Sequence, residues 1–164
     1  MRKIGVFAGI VVAGIALVIW IETDGASSRS ASHALFIGTW RLISIESNGK
    51  TDPARGPHPT GLIYYDTTGS MAVQIMPDRP RPKYADPQPT PDEAKSALIG
   101  YTAYFGTYSI DERARTVTHH RVGSINPGIV GVDAVRRYEF APGDRLILKP
   151  VENPMTRLTW ERIK

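Results

Sequence analysis

From Leu35 onward the chain is cut into short runs of β-forming residues by Gly-, Pro- and Asp-rich turn signals. The runs are "LFIGTWRLISIE" (35–46), "LIYYD" (62–66), "SMAVQIM" (70–76), "AYFGTYSI" (103–110), "RTVTHHRV" (115–122), "AVRRYEFA" (134–141), "RLILKP" (145–150) and "TRLTWERI" (156–163). Several alternate in polarity, as strands with one buried face do. Thr67-Thr68-Gly69, Asp111 to Ala114 and Pro142-Gly143-Asp144 read as hairpin turns between neighbours. Eight consecutive antiparallel strands leave two architectures, a closed barrel or a sandwich.

One stretch cannot join such a sheet. "MPDRPRPKYADPQPTP" (76–91) holds six prolines, and proline lacks the N–H that a ladder needs. It reads as an extended loop. At its end Thr90 is an N-cap, Pro91 suits the first helical position, and Glu93 completes a capping box. Ala94, Ala97, Leu98 and Tyr101 form one apolar stripe. A short helix is expected here, lying against the β-structure or across an opening.

The 164 residues suffice for one domain with a sizeable core, and no internal repeat is present. The formal net charge of +4 is scattered. Arg79, Arg81 and Lys83 cluster, as do Arg136 and Arg137, but neither group amounts to a nucleic-acid-binding run, and no nucleic-acid partner is expected. The absence of cysteine excludes disulfides, thiol catalysis and zinc–thiolate sites.

The amino terminus bears on location. Met1-Arg2-Lys3 is positive, and Ile4 to Ile21 is an uninterrupted uncharged run of eighteen residues. That is long for a signal-peptide core and long enough for a spanning helix. Residues 1–21 are therefore expected to form an apolar helix, either an uncleaved anchor, which we favour, or a cleaved signal. Residues 22–34 form a polar linker, and residues 35–164 the folded domain. Either reading exports the domain: anchored in the inner membrane facing the periplasm or another extracytoplasmic space, or secreted.

Gly38-Thr39-Trp40 opens the first strand, and Leu158-Thr159-Trp160-Glu161-Arg162 lies on the last. A Gly-x-Trp followed at the far end of the sheet by an arginine resembles the signature of the lipocalin and calycin superfamily. The ordered set "IGTWRLIS", "GLIYYDTTGSM", "DRPRP", "EAKSALIGYTAYFGTYSID", "TVTHHR" and "LTWERI" resembles the lipocalin-like domain family of bacteria and fungi, over about residues 35–163. The resemblance implies an all-β fold: an eight-stranded antiparallel up-and-down barrel with a cavity. Its short helix would fall between the third and fourth strands. Gly38, Trp40, Trp160 and Arg162 would close one end, the arginine stacking on an indole. Ordinary lipocalins carry their helix after the barrel, so a transport function does not carry over from them.

Eight strands are just wide enough to be filled by side chains or to hold one small ligand. Pleat parity places Met71, Val73 and Ile75 inward, with Tyr104, Gly106, Tyr108 and Ile110, and with Leu146 and Leu148. Gly106 would leave a gap. Such an interior is aliphatic and tyrosine-rich with few charges. It is either a pocket for an apolar or aromatic molecule or a solid core. His119 and His120 must point to opposite faces, so they cannot share a metal ion, and no metal site is expected. Either Val117, His119 and Arg121 face inward or Thr118, His120 and Val122 do, and Val117 as the more natural inward residue favours His119. Tyr65, Met71, Val73, Tyr104, Tyr108, His119 and Arg136 are thus the candidate ligand contacts.

No nucleophile elbow, phosphate loop or dinucleotide fingerprint is present, and no cofactor is expected. Glu161 should point outward. Two active readings follow. The first is a binding module for a small hydrophobic molecule. The second is a cofactor-free isomerase or cyclase using a histidine or tyrosine as acid or base. An inert scaffold is the third possibility, and the oligomeric state is left open.

Overall fold

The computed structural model describes residues 31–164. The elements are α1 (Ala31–Phe36), β1 (Gly38–Ser47), β2 (Lys50–Thr51), β3 (Thr60–Tyr65), β4 (Ser70–Met76), α2 (Pro91–Leu98), β5 (Thr102–Asp111), β6 (Thr116–Ser124), β7 (Asp133–Ala141), β8 (Arg145–Pro150) and β9 (Thr156–Arg162), with a 3₁₀ turn at Pro127–Ile129. Every pairing is antiparallel, in the order β1-β3-β4-β5-β6-β7-β8-β9, and β9 pairs back onto β1. This is the closed eight-stranded up-and-down barrel expected from the sequence. The ninth strand, β2, is a two-residue appendage to β1 across Asn48-Gly49. Both turn residues have positive φ (54° and 70°), as a two-residue hairpin requires.

The sheet closes because β1 is long enough to serve several neighbours. Gly38–Arg41 pair with β3, Glu46–Ser47 pair with β2, and nearly the whole strand pairs with β9. A bulge at Leu42–Ser44 turns it around the barrel. Alternation decides what is inside. Met71, Val73 and Ile75 are buried while Ala72, Gln74 and Met76 are exposed. Tyr104 and Tyr108 are buried, and so is His119, fully.

Three expectations are corrected. Leu35 and Phe36 belong to α1 rather than to the first strand. Gly38, at φ 126°, breaks the path between the two elements, and Phe36 is thereby driven into the barrel end with no exposed surface. Gly106 does not open a gap. A Cβ there would lie 1.9 Å from the His120 carbonyl oxygen, so the glycine admits the bulge by which Val122 is squeezed out of register. Helix α2 falls where expected, between β4 and β5, and carries the expected capping box. None of its residues is buried, however, and Leu98 is half exposed. Its stripe is short, and it faces the proline-rich loop, where Arg81 donates to the Ala97 carbonyl (2.9 Å).

The expected apolar helix of residues 4–21 and most of the linker lie outside the described residues. Among the described residues no helix is long and apolar enough to cross a membrane.

Candidate functional site

One end of the barrel is filled. The Arg162 guanidinium carbon stands 4.1 Å from the centre of the Trp40 ring. Its nitrogens donate to the carbonyls of Ile37 and Leu35, the latter at 2.6 Å. The Trp40 indole N–H donates to Phe36 O at 2.8 Å. A Cβ on Gly38 would meet Arg162 at 2.9 Å, which is why the position suits glycine. Phe36 then packs edge-on against Tyr65 (5.1 Å), Tyr138 (5.0 Å) and Phe140 (5.1 Å). Aromatic pairs of this kind add about 0.5–1.5 kcal/mol each beyond area burial. Glu161 points outward and pairs with Arg41 at 2.6 Å.

The other half holds a cavity of about 250 Å³. Its apolar wall includes Ile45, Ile63, Val73, Ile75, Leu148 and Leu158. Tyr104, His119, Arg136 and Trp160 supply the polar part, and Asp52, Arg55 and Glu152 border it as well. Of the candidate contacts, Val73, Tyr104, His119 and Arg136 line this space. Tyr65, Met71 and Tyr108 face inward but occupy the filled half instead. Tyr65 touches Phe36 and Tyr108, and the Tyr108 hydroxyl donates to the Asp66 carbonyl at 2.8 Å. Trp160, expected in the closing clamp, lies a pleat further from that end than Arg162 and borders the cavity.

The interior is also more charged than expected. Arg136 was legible, since it shares its pleat face with buried Ala134 and Tyr138. Arg55 was missed because it sits in the Gly/Pro-rich connection between β2 and β3. It reaches the mouth by donating to Gly100 O (3.0 Å) and Thr102 Oγ1 (2.8 Å), beside Asp52 at 3.7 Å. No periodicity marks such a position. Burial lowers its pKa against the opposing pull of Asp52, yet a guanidinium stays charged at any working pH.

A chain of polar groups runs from the barrel interior to the cavity. Tyr65 Oη lies 2.8 Å from His119 Nε2, Tyr104 Oη lies 2.8 Å from Nδ1, and Arg136 donates to Tyr104 at 3.4 Å. Burial first, then Arg136, Arg121 and His120, push the His119 pKa well below the histidine norm, so the ring is neutral. Burial likewise raises Tyr65, which stays a phenol. Burial opposes the Arg136 charge, but Tyr104, Tyr65 and Glu152 outweigh it and raise the pKa. A neutral imidazole has one donor and one acceptor. Were Tyr65 the acceptor, its own hydrogen would be stranded in a dry site, at about 1–3 kcal/mol. Tyr65 therefore donates to Nε2, and Nδ1–H donates to Tyr104. The Tyr104 hydroxyl hydrogen is left for the cavity.

His120 faces the other way. Its Nε2 lies 2.9 Å from Ser109 Oγ and its Nδ1 2.9 Å from Asp133 Oδ1. The connectivity is that of an activated serine. It lies on the outer face of the sheet, however, where ladder pairing engages the backbone N–H groups. Among the described residues the three side chains join β5, β6 and β7 as a clasp. The two histidines thus serve opposite faces.

A closed barrel with an arginine-capped tryptophan at one end and an interior cavity toward the other is the architecture of a lipocalin-type protein. The lipocalin-like domain family matches residues 37–163, and the chain belongs to that family. No curated protein matches the chain.

Proposed function

We propose that this protein binds a small molecule with an apolar or aromatic body inside its barrel. The observation that carries the reading is the cavity itself: aliphatic on its walls, polar at Tyr104, His119 and Arg136, and bounded by a rigid closed sheet. Its volume of about 250 Å³ is below the roughly 300–1,000 Å³ of drug-sized sites, which argues for a compact ligand. A preformed apolar space with few oriented polar groups is the general form of a ligand site. Native mass spectrometry of protein from its source cells should reveal a retained molecule, and a thermal-shift screen of apolar and aromatic compounds should give saturable stabilisation. Bare mass together with a flat screen would contradict the reading.

The Tyr65–His119–Tyr104 chain supports a second reading, a cofactor-free isomerase or cyclase. In it Tyr104 is the acid that touches substrate and His119 positions it. Tyr104→Phe would then abolish turnover while His120→Ala left it intact. Equal activity in both variants would end this reading.

We also propose export, supported by Met1-Arg2-Lys3 ahead of the uncharged residues 4–21. Fractionation of source cells should place the domain outside the cytoplasm, and recovery in the cytosol would refute it.

A further inference from the structure

The cavity borders donors that no carboxylate pairs with directly. Trp160 is 1% exposed, and its indole N–H is buried without a hydrogen-bond partner among the described residues. Arg136 offers five N–H donors. The one hydrogen bond its guanidinium makes among the described residues is to Tyr104, at 3.4 Å, and it has no carboxylate within 4 Å there. Tyr104 has a hydroxyl hydrogen to give once His119 has donated to it. No neighbouring carboxylate pairs directly with Arg136, and Glu152 favours its charge only from a distance. Asp52 is engaged by Arg55 and by the Ala54 N–H (2.9 Å), and Glu152 is exposed at the rim.

We propose that the ligand carries a carboxylate, held by Arg136 and the Tyr104 hydroxyl, its apolar body against Val73, Ile75 and Leu158. This rests on the small-molecule reading above and specifies its ligand class. A neutral hydrocarbon would leave the partly buried Arg136 guanidinium without an anionic partner, which is costly. A carboxylate supplies that partner, and arginine's planar fork matches its two oxygens. Arg55, held in place by Gly100 and Thr102, adds positive charge at the mouth.

The test uses the full chain labelled with ¹⁵N at its tryptophan indoles, with Trp160→Phe assigning the Trp160 resonance. 3-Phenylpropanoate and hexanoate are titrated in parallel with their primary amides, which match them in shape but carry no charge. The acids are expected to move the Trp160 N–H resonance saturably and to bind about tenfold or more tighter than the amides. Arg136→Gln should erase that preference and Arg136→Lys should keep most of it. Should Arg136→Gln fail to fold, the acid–amide contrast in the unaltered protein still decides. Equal binding of acids and amides overturns the carboxylate proposal and leaves the small-molecule reading standing. No response to any of the four overturns the proposal, and a flat thermal-shift screen alongside would remove the broader reading too.

Discussion

Arg162 and Arg136 share one barrel and are used in opposite ways. Arg162 spends its donors on the Leu35 and Ile37 carbonyls and its face on Trp40. Cation–π stacking contributes about 0.5–2 kcal/mol and a charged hydrogen bond about 1.5–3 kcal/mol, so Arg162→Ala should lower unfolding free energy by about 3 kcal/mol, measured by urea denaturation. Arg136 keeps its donors in reserve. Behind it, His119 makes stability depend on pH. Its folded pKa is depressed, so its contribution is complete above the ordinary histidine value of about 6.5. As pH falls below that value, the unfolded chain takes up a proton that the folded protein refuses. Stability should then decline toward the folded pKa, by at most about 1.4 kcal/mol per pH unit from this group. Urea midpoints at pH 7.5, 6.5 and 5.5 should show the decline, and His119→Gln should flatten it. The window stays above the range in which Asp66 and Glu93, both with lowered pKa, would protonate.

Among the elements, α2 contrasts with the strands. Its capping box is complete: Thr90 Oγ1 accepts from the Glu93 N–H (3.3 Å), and Glu93 Oε2 accepts from the Thr90 N–H (2.8 Å). Yet it buries nothing. Thr90→Ala should therefore cost about 1 kcal/mol locally. Hydrogen exchange should quicken at 91–98 while the melting temperature of the barrel stays put. The same contrast explains what the sequence disclosed. Period-two strands force their own facing, so Met71, Val73, Ile75 and Tyr104 could be placed inward from alternation, whereas parity left His119 and His120 open and only the neighbouring Val117 favoured His119. The helix start was legible from Thr90 and Glu93 because capping is local chemistry. Its covering role was not, because that depends on where the proline-rich loop goes. Phe36 misled for a related reason. Its β-propensity continued the first strand on paper, whereas the left-handed Gly38 and the hollow barrel end turned it into a plug. Arg55 gave no signal at all, since its place is set by contacts with Gly100 and Thr102 that lie far along the chain.

At the scale of the whole molecule, the width of an eight-stranded barrel allowed either a packed interior or a ligand space. This chain has both. Phe36, Trp40, Tyr65, Tyr138 and Phe140 take up one half, and the wall from Val73 to Leu158 encloses the other. The cavity is the feature on which the proposed function turns. Val73 is 3% exposed and lines that space, so Val73→Phe should fill part of it at a stability cost of about 1–3 kcal/mol. Calorimetric titration of the tightest ligand from the thermal-shift screen, against the unaltered protein and folded Val73→Phe side by side, is the most direct measurement. Binding inside the barrel predicts an affinity loss of about tenfold or more in the variant; undiminished affinity would place the ligand elsewhere and contradict the account.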